Sequence, residues 1–194
     1  MKKTFQFFTL LLISAFILSC GSNKKNGKPE NNDNFDFKIG DFYGGGIIFY
    51  IDSSGKHGLI AARIDQSTDS KWGCDGKDIQ GTKPDIGSGQ PNTVAIVSNC
   101  TTQGIAAKLC YELTLDGYDD WYLPSKEELN QIFVNLKQRN IGGLSNSRYW
   151  SSTQDNINFV WIQNFSTLDQ NSGFQDGGRK EEVSSIRVRA IRSF

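Results

Sequence analysis

A polar segment without any aliphatic or aromatic side chain divides this chain and limits which residues can form a folded core. Residues 21–34 contain only Asn, Lys, Gly, Ser, Pro, Glu and Asp. Such a composition buries too little apolar surface to offset the entropy lost on folding, so we expect a disordered tether. The 160 residues that follow, 35–194, suffice for one hydrophobic core of ordinary size. The sequence therefore predicts a single globular domain behind a flexible segment.

The residues before the tether have the pattern of an export signal. Lys2 and Lys3 precede a mostly apolar run over residues 5–18, which is shorter than the roughly 20 residues that span a bilayer. The run ends on Ser19 and Cys20, a small residue directly before a cysteine. This order predicts a signal peptide over residues 1–19, removed before Cys20. The alternative is an ordinary secretory signal with an incidental cysteine.

The residues around Cys20 resemble the bacterial lipobox. That resemblance implies a diacylglycerol on the Cys20 thiol and a further acyl chain, such as palmitate, on the new amino terminus. Several acyl chains make a stable anchor, so the expected partner of Cys20 is a lipid bilayer. Residues 20–34 then comprise a lipidated cysteine and its tether. Gly21 follows rather than aspartate, which under the sorting rule of enteric bacteria favours the outer membrane of a bacterial cell envelope.

The charge balance argues against nucleic acid as a partner. The chain has 21 basic and 21 acidic residues, and removal of residues 1–19 takes away two lysines and no acid. The remaining formal charge is slightly negative, whereas nucleic-acid-binding domains carry a basic surface. The oligomeric state is left open by the sequence.

Three cysteines remain in the exported part. Exported thiols tend to pair, and an odd number leaves one free. Cys110 lies on the apolar face of a predicted helix, which suits a buried thiol, whereas Cys74 and Cys100 lie in sequence rich in Gly, Asp and Ser. We expect a Cys74–Cys100 disulfide, with Cys100–Cys110 as the competing pair. Zinc is disfavoured because His57 is the only histidine.

Hydrophobic periodicity predicts an α+β domain with two helices. The first covers residues 104–115, where apolar residues recur at helical spacing. The second begins at Ser125, because Ser125 and Glu128 have the spacing of a capping box. Its buried stripe comprises Leu129, Ile132, Phe133 and Leu136. Glu127 and Glu128 are explained by the helix dipole and the cap rather than by catalysis.

Short apolar runs predict antiparallel strands around these helices. Residues 47–52 and 59–62 flank the turn sequence 53–56 and predict a hairpin. Three further β-rich runs follow the second helix, at residues 149–153, 159–165 and 184–194. In the last run the alternation changes phase at Ile191 and Arg192, which predicts a β-bulge.

The last strand also carries a candidate anion-binding face. Arg187 and Arg189 alternate with the apolar residues Ile186, Val188 and Ala190, and Arg192 follows. Three arginines on one strand can bind an anionic polysaccharide through paired hydrogen bonds. Solvated charge that prevents edge-to-edge aggregation predicts the same residues, so both interpretations stand.

The order of several short motifs is similar to that of the Legionella collagen-like protein C-terminal domain family, and the similarity covers nearly the whole domain. The motifs are rich in Gly, aromatic and small residues and occupy residues 39–41, 43–50, 58–62, 72–74, 87–89, 92–93, 104–110, 117–118, 120–125, 149–153 and 188–192. This resemblance implies a C-type-lectin-like α+β fold with short antiparallel sheets, long irregular loops and ligand-binding loops. It further implies binding of sulfated glycans and adhesion.

Two features limit what this resemblance implies. The collagen-like stalk of the family's founding protein is absent, so trimerisation does not carry over. The chain also departs from the family spacing at residues 166–170, where the family has a hairpin with a short Gly-containing turn. Ligand contacts made by that hairpin therefore do not carry over directly.

Gln90-Pro91-Asn92 is similar to the sugar loop of calcium-dependent lectins. It precedes both predicted helices, however, and is interpreted as a chance tripeptide.

No metal or cofactor is predicted. Calcium needs six to eight oxygen ligands, and the acidic residues Asp116, Asp119 and Asp120 are equally explained as a turn between helices. The sequence has no G-x-S-x-G elbow, HExxH motif or dinucleotide-binding fingerprint. We therefore expect no catalytic residues, although a pair of carboxylates leaves a carbohydrate-active enzyme as the least favoured alternative.

The predicted function is binding of an extracellular glycan or other polyanion by a non-catalytic, membrane-anchored lipoprotein. Trp72, which has loop surroundings, is the predicted aromatic contact, together with Arg187, Arg189 and Arg192; Tyr118 and Trp150 are further aromatic candidates. Trp121 and Trp150 are also expected in the core. The alternative function is a structural or assembly component of the envelope with no small ligand.

Overall fold

The computed structural model describes residues 36–166, 175–182 and 185–194. The predicted signal peptide (1–19) and the lipidated cysteine with its tether (20–34) lie outside the described residues, as do residues 167–170 of the unusual hairpin. One compact unit spans Phe35–Phe194. Among the described residues, no helix is both long enough and apolar enough to cross a membrane.

The described part of the chain confirms the α+β class. Its strands are β1 Phe42–Tyr43, β2 Gly46–Ile51, β3 Gly58–Ala62, β4 Arg148–Gln154, β5 Phe159–Asn164, β6 Gln175–Arg179, β7 Ile186–Arg187 and β8 Ile191–Ser193. Its helices are α1 Gly89–Asn99, α2 Ala106–Tyr111 and α3 Lys126–Asn135, and a 3-10 helix covers Lys137–Arg139.

The strands form two four-stranded sheets. The first has the order β1-β2-β3-β8 and is antiparallel throughout. The predicted hairpin is confirmed: Asp52 closes the turn between β2 and β3 by accepting the backbone N–H of Ser54 on its side chain (2.9 Å) and that of Gly55 on its carbonyl (3.1 Å). The second sheet has the order β6-β5-β4-β7 and is antiparallel except for the short parallel pairing of β4 with β7.

The C-terminal segment joins the two sheets, and the predicted β-bulge is wrong. Strand β7 pairs with β4 in the second sheet, whereas β8 pairs with β3 in the first. Between them, Val188 donates its N–H to the Ser67 carbonyl (3.0 Å), and the Ala190 carbonyl accepts from Ala62 (2.9 Å). The phase change at Ile191 therefore marks the passage from one sheet to the other.

The expectation of two helices is wrong, because α1 was not predicted. The buried face of α1 consists of Gly89, Asn92, Thr93 and Ile96, of which only Ile96 is a large apolar residue. The polar members bond to distant backbone instead: Asn92 donates to the Lys83 carbonyl (2.7 Å), and the Thr93 hydroxyl accepts from Leu123 (3.0 Å). Hydrophobic periodicity gives no signal for such a helix.

Helix α3 begins with the predicted capping box. The Ser125 hydroxyl accepts the N–H of Glu128 (3.3 Å), and the Glu128 carboxylate accepts the N–H of Ser125 (2.7 Å). The same carboxylate accepts the N–H of Gly87 (2.8 Å), so it connects α3 to the segment that precedes α1. Burial raises the pKa of Glu128 above its ordinary value, and its hydrogen bonds to the backbone of Ser125, Gly87 and Gly89 oppose that shift.

Hydrophobic residues cover both faces of the first sheet. On one face, Ile48 and Ile60 pack into a cluster with Trp72, Trp121 and Trp150. On the other face, Phe49 and Leu59 join a cluster that contains buried residues of α3. The predicted burial of Trp121 and Trp150 is confirmed.

Candidate functional site

Trp72 is fully buried, which contradicts its prediction as a ligand contact. Its indole N–H donates to the Ser151 carbonyl at 2.8 Å, and Lys180 Nζ lies 5.0 Å from the ring centroid. Lys180 is itself buried and donates to the Lys77 carbonyl (2.6 Å) and to Gln154 Oε1 (2.8 Å). Burial lowers the pKa of Lys180 to about 8. Trp72 thus belongs to the core although its neighbours in sequence are loop residues.

Arg187 and Arg189 share one buried carboxylate, so they do not form an exposed cationic face. Asp65 accepts from Arg187 Nη1 at 2.9 Å and from Arg189 Nε at 2.7 Å. Arg189 is only 2% exposed and also donates to the carbonyls of Ala62 (2.8 Å) and Gly142 (2.9 Å). An arginine held this way is not available to a polyanion, and the prediction is corrected for this pair.

Arg192 is also buried and paired. Its Nε and Nη2 donate to Asp120 Oδ1 and Oδ2 at 2.6 and 2.8 Å, and its Nη1 donates to the Gly44 carbonyl at 3.1 Å. The guanidinium carbon lies 3.9 Å from the centroid of the Tyr118 ring, so one face of Tyr118 is covered. The prediction of Arg192 as a ligand contact is therefore wrong as well. All three arginines connect the C-terminal segment to the rest of the domain.

The cysteines are placed as the sequence predicts. Cys74 and Cys100 form a disulfide with their Cα atoms 5.7 Å apart and a separation of 26 positions in the sequence. Cys110 is a free, buried thiol, and burial raises its pKa. Within the described residues, no group of three or more His, Cys, Asp or Glu side chains is placed to hold a metal ion.

A surface cleft of about 350 Å³ lies where α1, the end of α2 and the segment before α3 meet; we call it the first cleft. It is lined by Gln90, Thr93 and Val94 of α1, by Tyr111 and residues 112–114 at the end of α2, and by residues 119–122. Its volume lies within the range of roughly 300–1,000 Å³ that is typical of small-molecule sites.

The first cleft combines an exposed aromatic ring with unneutralised carboxylates. Tyr111 is 49% exposed at the end of α2. Of the three acidic residues in the lining, Asp120 is neutralised by Arg192. Over the described ranges, Glu112 and Asp119 have no cationic side chain within ion-pair distance. The cleft therefore offers an apolar ring face beside hydrogen-bond acceptors with a net negative charge.

Backbone hydrogen bonds hold the walls of the first cleft in place. Glu112 donates its N–H to the Lys108 carbonyl at 2.9 Å, which continues the pattern of α2 past its last residue. On the opposite wall, Tyr122 and Ile191 exchange two backbone hydrogen bonds of 2.8 and 2.9 Å. The Trp121 indole donates to the Tyr118 carbonyl at 3.1 Å. The cleft is consequently formed by anchored segments.

Sequence reasoning missed this combination of residues. The sequence interpretation treats Gln90 as part of a chance tripeptide because it precedes both predicted helices, and it treats Asp119 as part of a calcium cluster or of a turn between helices. In the structure Asp116, another member of that cluster, pairs with Arg63 at 3.6 Å and Asp120 pairs with Arg192. The available signal was Tyr111, an aromatic residue outside the apolar stripe of α2.

Comparisons with known proteins bear on the fold. No protein-family model matches the chain, and no curated protein matches it. Among solved structures, the chain is similar to a fimbrial protein from Bacteroides ovatus, with a TM-score of 0.51 and 12% sequence identity over 81% of this chain. The match covers 48% of the fimbrial protein, so this chain spans about half of its length. At this identity the likeness concerns the fold alone.

Proposed function

We propose that this chain is a lipoprotein of the bacterial envelope, anchored through lipidated Cys20, whose C-type-lectin-like domain binds a glycan without catalysing a reaction. The anchor rests on the sequence pattern of residues 1–34 and on the resemblance to the lipobox. The lectin-like assignment rests on the order of motifs in the domain, which the α+β architecture accommodates. The glycan site is the first cleft.

The observation that carries this proposal is the position of the exposed Tyr111 ring beside the unneutralised carboxylates of Glu112 and Asp119. An aromatic ring packs well on the apolar face of a sugar ring. Carboxylate oxygens accept hydrogen bonds from sugar hydroxyls, and the amide of Gln90 both donates and accepts. The first cleft is concave and combines aromatic and aliphatic lining residues with polar groups that can fix the orientation of a ligand, as small-ligand sites do.

The charge of the first cleft favours a glycan without acidic groups. Glu112 and Asp119 would repel sulfate or carboxylate groups of a ligand, at a cost that rises as water is excluded. The arginines that were expected to bind a polyanion are already paired with Asp65 and Asp120. The proposed ligand is thus a neutral, hydroxyl-rich glycan rather than a sulfated chain.

A second candidate function is a structural component of a surface assembly. The fold likeness to a fimbrial protein supports it. In that case the first cleft would have no small ligand, and the domain would act through contacts with other proteins of the envelope.

A glycan array probed with the full chain in detergent tests the proposal. We expect binding to neutral glycans that Tyr111→Ala weakens by at least about tenfold, which corresponds to about 1.4 kcal/mol. Phe42→Ala is the matched control, because Phe42 is also an exposed aromatic residue but does not line the first cleft. Binding confined to sulfated glycans would refute the neutral-ligand proposal, and binding to no glycan would favour the structural alternative.

A further inference from the structure

A second cleft of about 410 Å³ adjoins the first. The two clefts share Glu112, Leu113 and Thr114, which we call the shared wall. The volume of the second cleft is also in the range of roughly 300–1,000 Å³ found for sites that enclose small molecules. A ligand that extends past the shared wall from the first cleft therefore reaches the second one.

The shared wall is fixed by backbone hydrogen bonds on both sides. Glu112 and Leu113 donate to the carbonyls of Lys108 (2.9 Å) and Cys110 (3.2 Å) at the end of α2. Directly after the wall, Leu115 and Tyr118 exchange two hydrogen bonds of 2.9 and 3.0 Å. Ordering a flexible loop on binding costs free energy. The shared wall is already held by backbone hydrogen bonds, so it adds little to the free-energy cost of binding.

The second cleft has a different chemistry from the first. Its aliphatic lining comprises Ile64, Leu109, Leu113 and Leu115, and Ile64 is 68% exposed. The polar side chains of Asp65 and Gln66, which follow Ile64 in its lining, are already engaged: Gln66 donates to the Ile64 carbonyl (2.8 Å) and accepts from Ala190, and Asp65 binds two arginines. The second cleft thus offers hydrocarbon surface, with the polar groups of the shared wall at its edge.

We propose that the second cleft is a subsite of the glycan site, and that the ligand is an oligosaccharide in which a unit beside the one on Tyr111 carries a methyl-terminated substituent. An N-acetyl group and the methyl group of a 6-deoxy sugar have this chemistry. The methyl group packs against Ile64 and Leu113, while ring hydroxyls reach Glu112 and Thr114 on the shared wall. This inference rests on the proposed function and goes beyond it by assigning the ligand's length and substituent.

The continuity of the two clefts favours a sugar chain as the occupant. A protein segment would have to satisfy its backbone N–H and carbonyl groups at the second cleft, where Gln66 and Asp65 are already bonded. A deoxy-methyl group needs no polar partner there, and the single amide of an N-acetyl group has Glu112 and Thr114 of the shared wall within the same cleft as partners. Each methyl-sized group that leaves water contributes about 0.8 kcal/mol, or roughly fourfold in affinity.

The test uses an array on which N-acetylated, 6-deoxy and unsubstituted oligosaccharides of matched length are printed beside their monosaccharides, probed with the full chain. We expect substituted oligosaccharides to bind at least about fourfold more tightly than unsubstituted ones. Ile64→Asn removes this preference and leaves binding of unsubstituted sugars in place. The two substituted series distinguish an acetyl from a deoxy-methyl group. Ile157→Asn is the matched control, because Ile157 is an exposed isoleucine outside both clefts.

The outcomes separate this inference from the function on which it rests. If glycans bind and Tyr111→Ala weakens them, but Ile64→Asn behaves like Ile157→Asn, the subsite is refuted and the first cleft remains a glycan site. The subsite is also refuted if Ile64→Asn changes only self-association of the chain, measured by light scattering. If no glycan binds, the proposed function itself fails.

Discussion

Arg192 and Asp120 form a two-point ion pair in which Nε and Nη2 lie 2.6 and 2.8 Å from the two carboxylate oxygens. The pair connects strand β8 to a wall of the first cleft, because Asp120 and its neighbour Trp121 both line that cleft. The arginine therefore acts as a positioning residue for the candidate site rather than as a ligand contact.

Arg192→Lys is expected to weaken glycan binding and to lower stability. Lysine keeps the charge but loses the two-point geometry and the stacking on Tyr118. We expect a loss of about 1–2 kcal/mol in the free energy of unfolding, less than the roughly 3–5 kcal/mol of a fully buried pair, because Asp120 is partly exposed. Urea denaturation and the glycan array measure both effects. Arg187→Lys, which lies outside the first cleft, should leave glycan binding unchanged; equal binding by both variants would contradict the positioning role.

Asp65→Asn is expected to be among the most destabilising single substitutions in the domain. An amide cannot neutralise Arg187 and Arg189, and Arg189 would remain buried without its counter-charge. The expected loss is about 3–5 kcal/mol in the free energy of unfolding. Asp116→Asn is the control, because its ion pair with Arg63 is exposed and long, and such pairs contribute at most about 1 kcal/mol. Similar losses of unfolding free energy in the two variants would show that the buried ion pairs of Asp65 contribute no more than the exposed pair of Asp116.

Glu128→Gln should remove a pH dependence of stability. Burial raises the folded-state pKa of Glu128 above its ordinary value of 4.5. The folded state therefore holds this proton more tightly than the unfolded state, so the contribution to stability is fully present below pH 4.5 and falls as the pH rises through the folded-state pKa. Urea denaturation from pH 4.5 to neutral pH should show this fall in the parent and not in Glu128→Gln. Glu127→Gln should retain it, and a parent without the fall would contradict the expectation.

The disulfide should contribute more to stability than any single surface contact. The Cys74–Cys100 bond joins residues 26 positions apart, and constraint of the unfolded chain by a loop of that size is worth about 3–4 kcal/mol. The double variant Cys74→Ser with Cys100→Ser should lose about that amount in thermal or urea unfolding. Reductant should destabilise the parent and leave the double variant unchanged. A parent that is insensitive to complete reduction would contradict the prediction.

Cys20→Ser is expected to abolish the lipid anchor that we propose. Without the thiol there is no acceptor for the diacylglycerol, so radiolabelled palmitate should not be incorporated and the chain should leave the membrane fraction. Ser22→Ala, two residues away in the tether, should behave like the parent. Continued palmitate labelling of Cys20→Ser would place the modification elsewhere and refute the lipobox interpretation.

Features that depend on neighbouring residues could be predicted from the sequence. The capping box of Ser125 and Glu128 and the turn of the first hairpin follow from local hydrogen bonds, so their spacing is enough to locate them. Helix α1 could not be predicted in this way. Asn92 and Thr93 on its buried face are stabilised by Lys83 and Leu123, and no periodicity of apolar residues reports such partners.

The residues of the candidate site were even harder to predict, because their accessibility depends on partners far away in the sequence. Alternation of Arg187 and Arg189 with apolar residues predicts an exposed charged face when the strand is considered alone. The structure places Asp65 against both, 124 positions before Arg189 in the sequence, so both charges are neutralised, and Arg189 is buried while Arg187 is partly buried. Trp72 is likewise surrounded by loop residues in sequence and by core residues in space. The accessibility of these side chains was therefore predicted wrongly, because it depends on partners that are distant in the sequence.

The sequence by itself determined the α+β class, the local caps and turns, and the types of side chain available for binding. Only the tertiary structure decided which charges are neutralised and which remain free at the surface. The physical reason is that an ion pair forms between groups brought together by packing, whatever their separation along the chain. That is why the arginines became structural, while Tyr111, Glu112 and Asp119 were left to form the candidate ligand site.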